Sequence, residues 1–229
     1  MRSGGRGADK TVTRIKSSPH LGLFSMAEYD NLGGQDLFIN QGLRMTAELL
    51  TDRRGLLLAA APMLADRFDA ATVTAAAIAQ AVGIAEEDFI DEFGAVESYF
   101  LALQLGFFEG RLARVIGRAG TMQPGLERIR SAWSGYLDYS VEHAAVYAWC
   151  KRARQRFPSL LEELRRRNHG VLLMIQIEFS TLHCSHPMEC ARLAVGMVLE
   201  TVKLETESRT KNEPMRALLW SALEMFART

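Results

Sequence analysis

Cysteine is scarce in this sequence. Three thiols, Cys150, Cys184 and Cys190, are spread over 229 residues. An odd, sparse set cannot supply a disulfide framework, so a reducing cytoplasm is the expected setting. Long apolar runs are missing as well. The longest nearly uncharged one, residues 55–65, falls well short of the roughly 20 residues a bilayer demands, and no membrane partner is expected. The basic residues Arg2, Arg6, Lys10, Arg14 and Lys16 precede no apolar run with a small-residue cleavage site, which argues against a secretory signal. Strand-type alternation is absent. So are a nucleophile beside a base, a carboxylate pair and a phosphate-cradling glycine loop, so neither an enzyme nor a bound cofactor is expected.

What is present is the composition of a soluble globular chain, 48% hydrophobic and 24% charged, long enough for one or two domains. The 27 basic and 27 acidic residues cancel, yet they are sorted along the chain. Residues 1–25 carry net +4, residues 26–54 net −2, residues 55–100 net −7 and residues 101–229 net +5. In the −7 stretch, Arg67 alone faces eight carboxylates.

Residues 1–34 mix Gly, Ser and isolated charges up to Gly33-Gly34 and show no period that could bury a face, which reads as a flexible tail. Met26 within it is a candidate start of a shorter natural protein. From Gln35 the spacing of Leu37, Phe38, Leu43, Ala47 and Leu50 predicts an amphipathic helix. Beyond it, punctuation predicts helices over about 54–67, 74–81, 86–92, 95–117, 124–142, 144–156, 158–181, 187–209 and 213–227. Pro124, Pro158, Pro187 and Pro214 each stand near the start of a segment, where a missing N–H costs nothing. The fold class expected is all-α.

The most specific local pattern is Ile78-Ala79-Gln80-Ala81-Val82-Gly83-Ile84, followed by Phe89 and Phe93. A helix-turn-helix needs small residues where two short helices cross, a glycine free to take positive φ at the turn, and apolar anchors on the second helix. All three are here, and Thr74 can cap the first of the two helices. An ordinary pair of core helices is the alternative.

On these residues the chain resembles the TetR family of bacterial regulators. That family's N-terminal module runs from an Ala-Ala helix through a Thr-Val-x-x-Ile-Ala-x-x-Ala-Gly-Val motif to a short recognition helix ending Tyr-x-x-Phe. Ala59-Ala60-Ala61 match the first helix, Thr74 opens the second, Gly83-Ile84 match the turn and Phe93 the terminal Phe. An Arg-Phe-Pro-x-Leu phrase at Arg156 to Leu160 extends the likeness. The resemblance implies a helix-turn-helix module over 35–100 and a helical ligand-binding and dimerisation bundle over 101–229. It also implies a homodimeric transcriptional regulator responsive to a small hydrophobic ligand.

The departures fall where the family touches DNA. Thr74 is kept, but Ala85 fills the usual capping position. Glu86, Glu87 and Asp88 replace positions that are commonly basic, Gly and Thr. Ile90 replaces the phosphate-contacting Tyr, Asp91-Glu92 a polar or basic pair, and Val96 the following Lys. Duplex affinity depends on neutralising phosphates with Lys and Arg, and carboxylates carry the wrong sign. In the first turn of a helix, however, each acid favours the dipole by about 0.3–1 kcal/mol. The expectation is therefore a well-formed helix with poor operator contacts. A TetR-fold protein that has lost DNA binding, and acts as a protein adaptor or hydrophobic-ligand carrier, stands as the alternative.

Three further groupings remain. Trp133, Tyr136, Tyr147, Met174 and Phe179 are candidate cavity-lining residues for an apolar ligand, though such spacing also suits plain core. His183, Cys184, His186 and Cys190 gather metal-ligating types within eight residues, but match no standard zinc spacing, and no metal is expected. Finally, Leu193, Met197, Leu219, Leu223 and Phe226 lie on apolar stripes of the last two segments. In the resembled family, those helices pair with a second subunit.

Overall fold

The computed structural model describes residues 53–228; the expected tail over 1–34, the Met26 start and the 35–50 helix lie outside them. The described residues form ten helices and no strand. The single helix expected over 54–67 is two, α1 (Arg53–Ala59) and α2 (Ala61–Arg67). Pro62 explains the break: it has no N–H to give the Leu58 carbonyl and instead occupies the first turn of α2.

α3 (Ala75–Val82) begins where Thr74 Oγ1 accepts from the Ala77 N–H at 3.2 Å. It ends at Gly83, whose φ of 82° is the left-handed conformation. There the Ile84 N–H returns to Ala79 O and the Gly83 N–H to Gln80 O, a Schellman close that satisfies two end carbonyls. α4 (Glu86–Phe93) follows after two residues, and α5 (Val96–Ala119) after Gly94. The rest are α6 (Leu126–Glu142), α7 (Ala144–Arg156), α8 (Pro158–Thr181), α9 (Pro187–Ser208) and α10 (Glu213–Phe226). Pro158, Pro187 and Pro214 sit in the first turn of their helices. Pro124 does not, because α6 starts at Leu126 behind Gly125.

Two apolar clusters hold these helices. The first contains Leu57, Leu64, Ile78, Phe89, Phe93, Tyr99 and Phe100 from α1–α5, with Trp149 and Ala153 of α7 and Leu160 of α8. At its centre the Phe100 and Trp149 rings meet edge-on, centroids 4.5 Å apart. The Tyr99 hydroxyl donates to Leu57 O at 2.9 Å, and burial raises its pKa. Each such side chain contributes about 1.5–3 kcal/mol when withdrawn from water, so this shared core fixes the short helices to the bundle. A division at residue 100 falls inside α5, where the chain is unbroken.

The second cluster joins α6, α8, α9 and α10 through Ile129, Trp133, Leu137, Phe179, Ala191, Val198, Leu219 and Leu223. α5 and α6 pass close together because glycines stand at the contact. A Cβ on Gly110 would lie 2.1 Å from the Tyr139 hydroxyl, and one on Gly135 3.0 Å from Arg118 Cδ. A buried ion network ties α10 down. Arg216 Nε and Nη2 donate to both Glu205 oxygens at 2.7 and 2.8 Å, and Nη1 donates to Asp138 Oδ1 at 2.7 Å.

Candidate functional site

α4 presents an acidic outer face. Phe89 and Phe93 turn inward onto Tyr99, which leaves Glu86, Glu87 and Asp91 exposed, with Ile90 at 43% exposure among them. These four line a shallow hollow of about 310 Å³. Among the described residues, no basic side chain borders it. The Asp88 carboxylate, by contrast, is spent on structure. Asp88 Oδ2 accepts from the Ala85 N–H at 3.4 Å, and its Oδ1 pairs with Arg53 at 2.5 Å. Arg54 Nη1 donates to Glu92 O at 2.9 Å, and its guanidinium lies 4.4 Å from the Phe93 ring centroid. Arg53 and Arg54, cations of α1, are thus engaged by α4 itself. Thr74 uses its oxygen as a cap, Ala85 stands at the exposed N-terminus of α4, and Val96 is half-buried against the first core.

The bundle holds a small cavity of about 30 Å³ lined by Trp133 and Tyr136 of α6, Asn168 and Val171 of α8, and Val195, Val198 and Leu199 of α9. Two of the five expected ligand residues meet here. Tyr147 packs against the same cluster beside Phe107, ring centroids 5.5 Å apart. Phe179 is fully buried core against Phe226, and Met174 is 51% exposed on α8.

Beside Tyr136 lies a residue that the sequence reading passed over. Arg111 of α5 is only 6% exposed. Its guanidinium carbon sits 4.0 Å from the Tyr136 ring centroid, 5.0 Å from Phe107 and 5.1 Å from Phe108. Among the described residues it has no carboxylate partner and no hydrogen-bond acceptor. Burial lowers its pKa from the ordinary arginine value; the phenols of Tyr136 and Tyr147 oppose that, and Arg154 reinforces it. Arg154 itself donates to Gln104 Oε1 at 2.8 Å. Cation–π contacts contribute about 0.5–2 kcal/mol each, against several kcal/mol for taking one ion out of water. The signal was legible: Arg111 stands three and four residues after Phe108 and Phe107, on the inward stripe of α5.

At the α8–α9 corner, His183 takes a left-handed φ of 61°. Cys184 and Cys190 are buried with sulfurs 3.2 Å apart, while His183 and His186 are exposed. Thiols and imidazoles therefore point different ways, and no group of three metal-ligating side chains occurs among the described residues. Burial pushes the third thiol, Cys150, up to about 12. Of the expected dimer residues, Leu219, Leu223 and Phe226 face their own chain's core, Met197 is half-buried and Leu193 is 60% exposed. The outward apolar side chains on α10 are instead Leu218 and Met225, 62% and 58% exposed.

The shape has a counterpart among solved structures. The crystal structure of a Rhodococcus sp. protein assigned to the TetR family of transcriptional regulators matches with a TM-score of 0.65 at 15% identity, covering 76% of this chain and 98% of that one. No protein-family model and no curated protein sequence matches. The chain has an all-α, TetR-like fold. No helix among the described residues is long and apolar enough to cross a membrane.

Proposed function

We propose that this chain is a TetR-type transcriptional regulator, homodimeric and responsive to a small hydrophobic ligand, whose α4 contributes little to operator binding. One observation carries the last point. The face that α4 offers to a groove consists of Glu86, Glu87, Asp91 and Ile90, and the adjacent Arg53 and Arg54 are already bound to that helix. Phosphates meeting this face would encounter like charge with no counter-charge to release. The +4 charge of residues 1–25 is then the largest net positive charge within the first hundred residues of the sequence.

Dimerisation is supported by apolar side chains left in water. Leu173, Met174 and Ile177 on α8, Leu193 on α9, and Leu218 and Met225 on α10 are all exposed, and apolar side chains so placed would be withdrawn from water by a second chain. Ligand response is supported by the cavity between α6, α8 and α9. The second reading, an adaptor or ligand carrier without DNA binding, is favoured by the same acidic face.

Duplex binding by the purified full chain separates the two readings. Measured by fluorescence anisotropy at physiological salt, affinity should be no better than about 10⁻⁶ M, nearly independent of sequence, and should weaken when residues 1–25 are removed. Nanomolar, sequence-selective binding that survives that truncation and disappears with E86A/E87A/D91A would overturn the assignment of α4. No binding at any salt would leave the carrier reading.

A further inference from the structure

Resting on the reading that the bundle takes a small apolar molecule, we infer that this molecule is an apolar carboxylate and that Arg111 receives its anionic head. Arg111 is a permanently charged group, 94% buried, with rings of Phe107, Phe108 and Tyr136 around it; among the described residues neither a carboxylate nor an acceptor oxygen bonds its five N–H donors, which keep only the slight solvent contact that its 6% exposure leaves. Arg154, whose charge also acts on it, is a cation as well. Several carboxylates of the neighbouring helices are committed elsewhere, while Glu109 and Glu162 face solvent. Glu142 pairs with Arg114, Glu163 with Arg166 and Arg167, and Asp138 with Arg118, Lys211 and Arg216. An excess of buried positive charge without an internal anion is the arrangement of a site that waits for one.

The rest of the ligand follows from what adjoins the guanidinium. Tyr136 both stacks on Arg111 and lines the cavity, whose other walls include Trp133, Val171, Val195 and Val198. These walls accept an alkyl or aryl body. At about 30 Å³ the cavity admits little more than a water molecule or two, so the body enters only as α8 and α9 separate from α6. Arg111 can form a two-point, charge-assisted contact with a carboxylate. A neutral molecule with the same tail leaves the buried cation as it was.

The test compares decanoate with decanol by calorimetry and thermal shift on the full chain, both below the concentrations at which they self-associate. Decanoate should bind at least about tenfold tighter, and Arg111→Met, which keeps most of the apolar stem, should abolish that preference while retaining decanol binding. Equal affinity of the two probes for the native protein overturns the inference and leaves an apolar-ligand site standing; this arm holds whether or not the variant folds. A preference that persists in a folded R111M also overturns it. Binding of neither probe removes both the inference and the ligand-responsive reading.

Discussion

Single residues explain most of the places where this chain turns or crosses. Gly83 is required by conformation, not by space: its φ is 82°, yet a Cβ there would meet nothing within 4 Å. Gly83→Ala should therefore cost only left-handed strain, about 1–2 kcal/mol. At Gly110 the reverse holds, since φ is ordinary but a methyl would strike the Tyr139 hydroxyl. Gly110→Ala must displace that ring from its stack on His143, 4.0 Å away, or push α5 off α6, at about 1–3 kcal/mol. Urea denaturation of both variants checks the pair, and a smaller loss at Gly110 than at Gly83 would show that Tyr139 yields freely. Asp138 gives a pH signature. Burial alone would raise its carboxyl, but hydrogen bonds from Arg216 and Lys211 outweigh burial and bring it down to about 2. A depressed carboxyl stabilises the fold above its unfolded value near 4 and loses that contribution as pH falls toward 2. Wild-type stability should thus fall more steeply between pH 4 and 2 than that of Asp138→Asn, which lacks the titrating group. Parallel curves for the two proteins would contradict the role assigned to this carboxylate.

At the scale of helices, much of the architecture was legible because its punctuation is local. Pro158 and Pro187 open helices, Thr74 caps α3, and Gly83 closes it in the conformation that only glycine adopts cheaply. Pro62 was the local signal not used, and it splits the expected 54–67 helix in two. What periodicity could not show was which of two apolar stripes a helix gives to its own chain. On α10, Leu219, Leu223 and Phe226 make one stripe and Leu218 and Met225 another. Both recur at helical spacing, and only the packing of α6, α8 and α9 chooses the first as core. The candidate ligand cavity was partly legible for a related reason. Trp133 and Tyr136 carry a recognisable aromatic signal, whereas Asn168, Val195 and Leu199 look like any half-buried helix residues until three helices converge. Arg111 carried a signal in its spacing from Phe107 and Phe108 and was passed over because a surface arginine is the ordinary reading of that letter.

Across the whole molecule, the ligand region and the helix-turn-helix are joined through α7. Arg154 lies in the charged group around Arg111 and bonds Gln104, whose Nε2 in turn donates to Leu160 O at 2.8 Å. Two residues on, Arg156 Nη1 donates to Val73 O at 2.9 Å, in the turn that leads into α3. Movement of α7 therefore reaches the helix-turn-helix through the Arg156 guanidinium as well as through Trp149 and Ala153 in the shared core.

The partner subunit belongs to the same scale. Because Leu219 and Leu223 are core, replacing them would test folding rather than association. The informative variant is L218E/M225E, whose side chains are exposed in one chain and can be charged at little cost to it. In a two-fold dimer each substitution acts twice. Each apolar side chain withdrawn from water contributes about 1.5–3 kcal/mol, so the dimer dissociation constant should rise by about 100-fold or more. Sedimentation at about 10 µM, a concentration at which a pair with micromolar or tighter affinity remains largely associated, should show wild-type dimers and variant monomers, with thermal unfolding of the variant monomer still cooperative. A wild-type monomer at that concentration would dismiss the dimer. A variant that stays dimeric would move the interface away from this face of α10, toward the exposed Leu173, Met174 and Ile177 of α8.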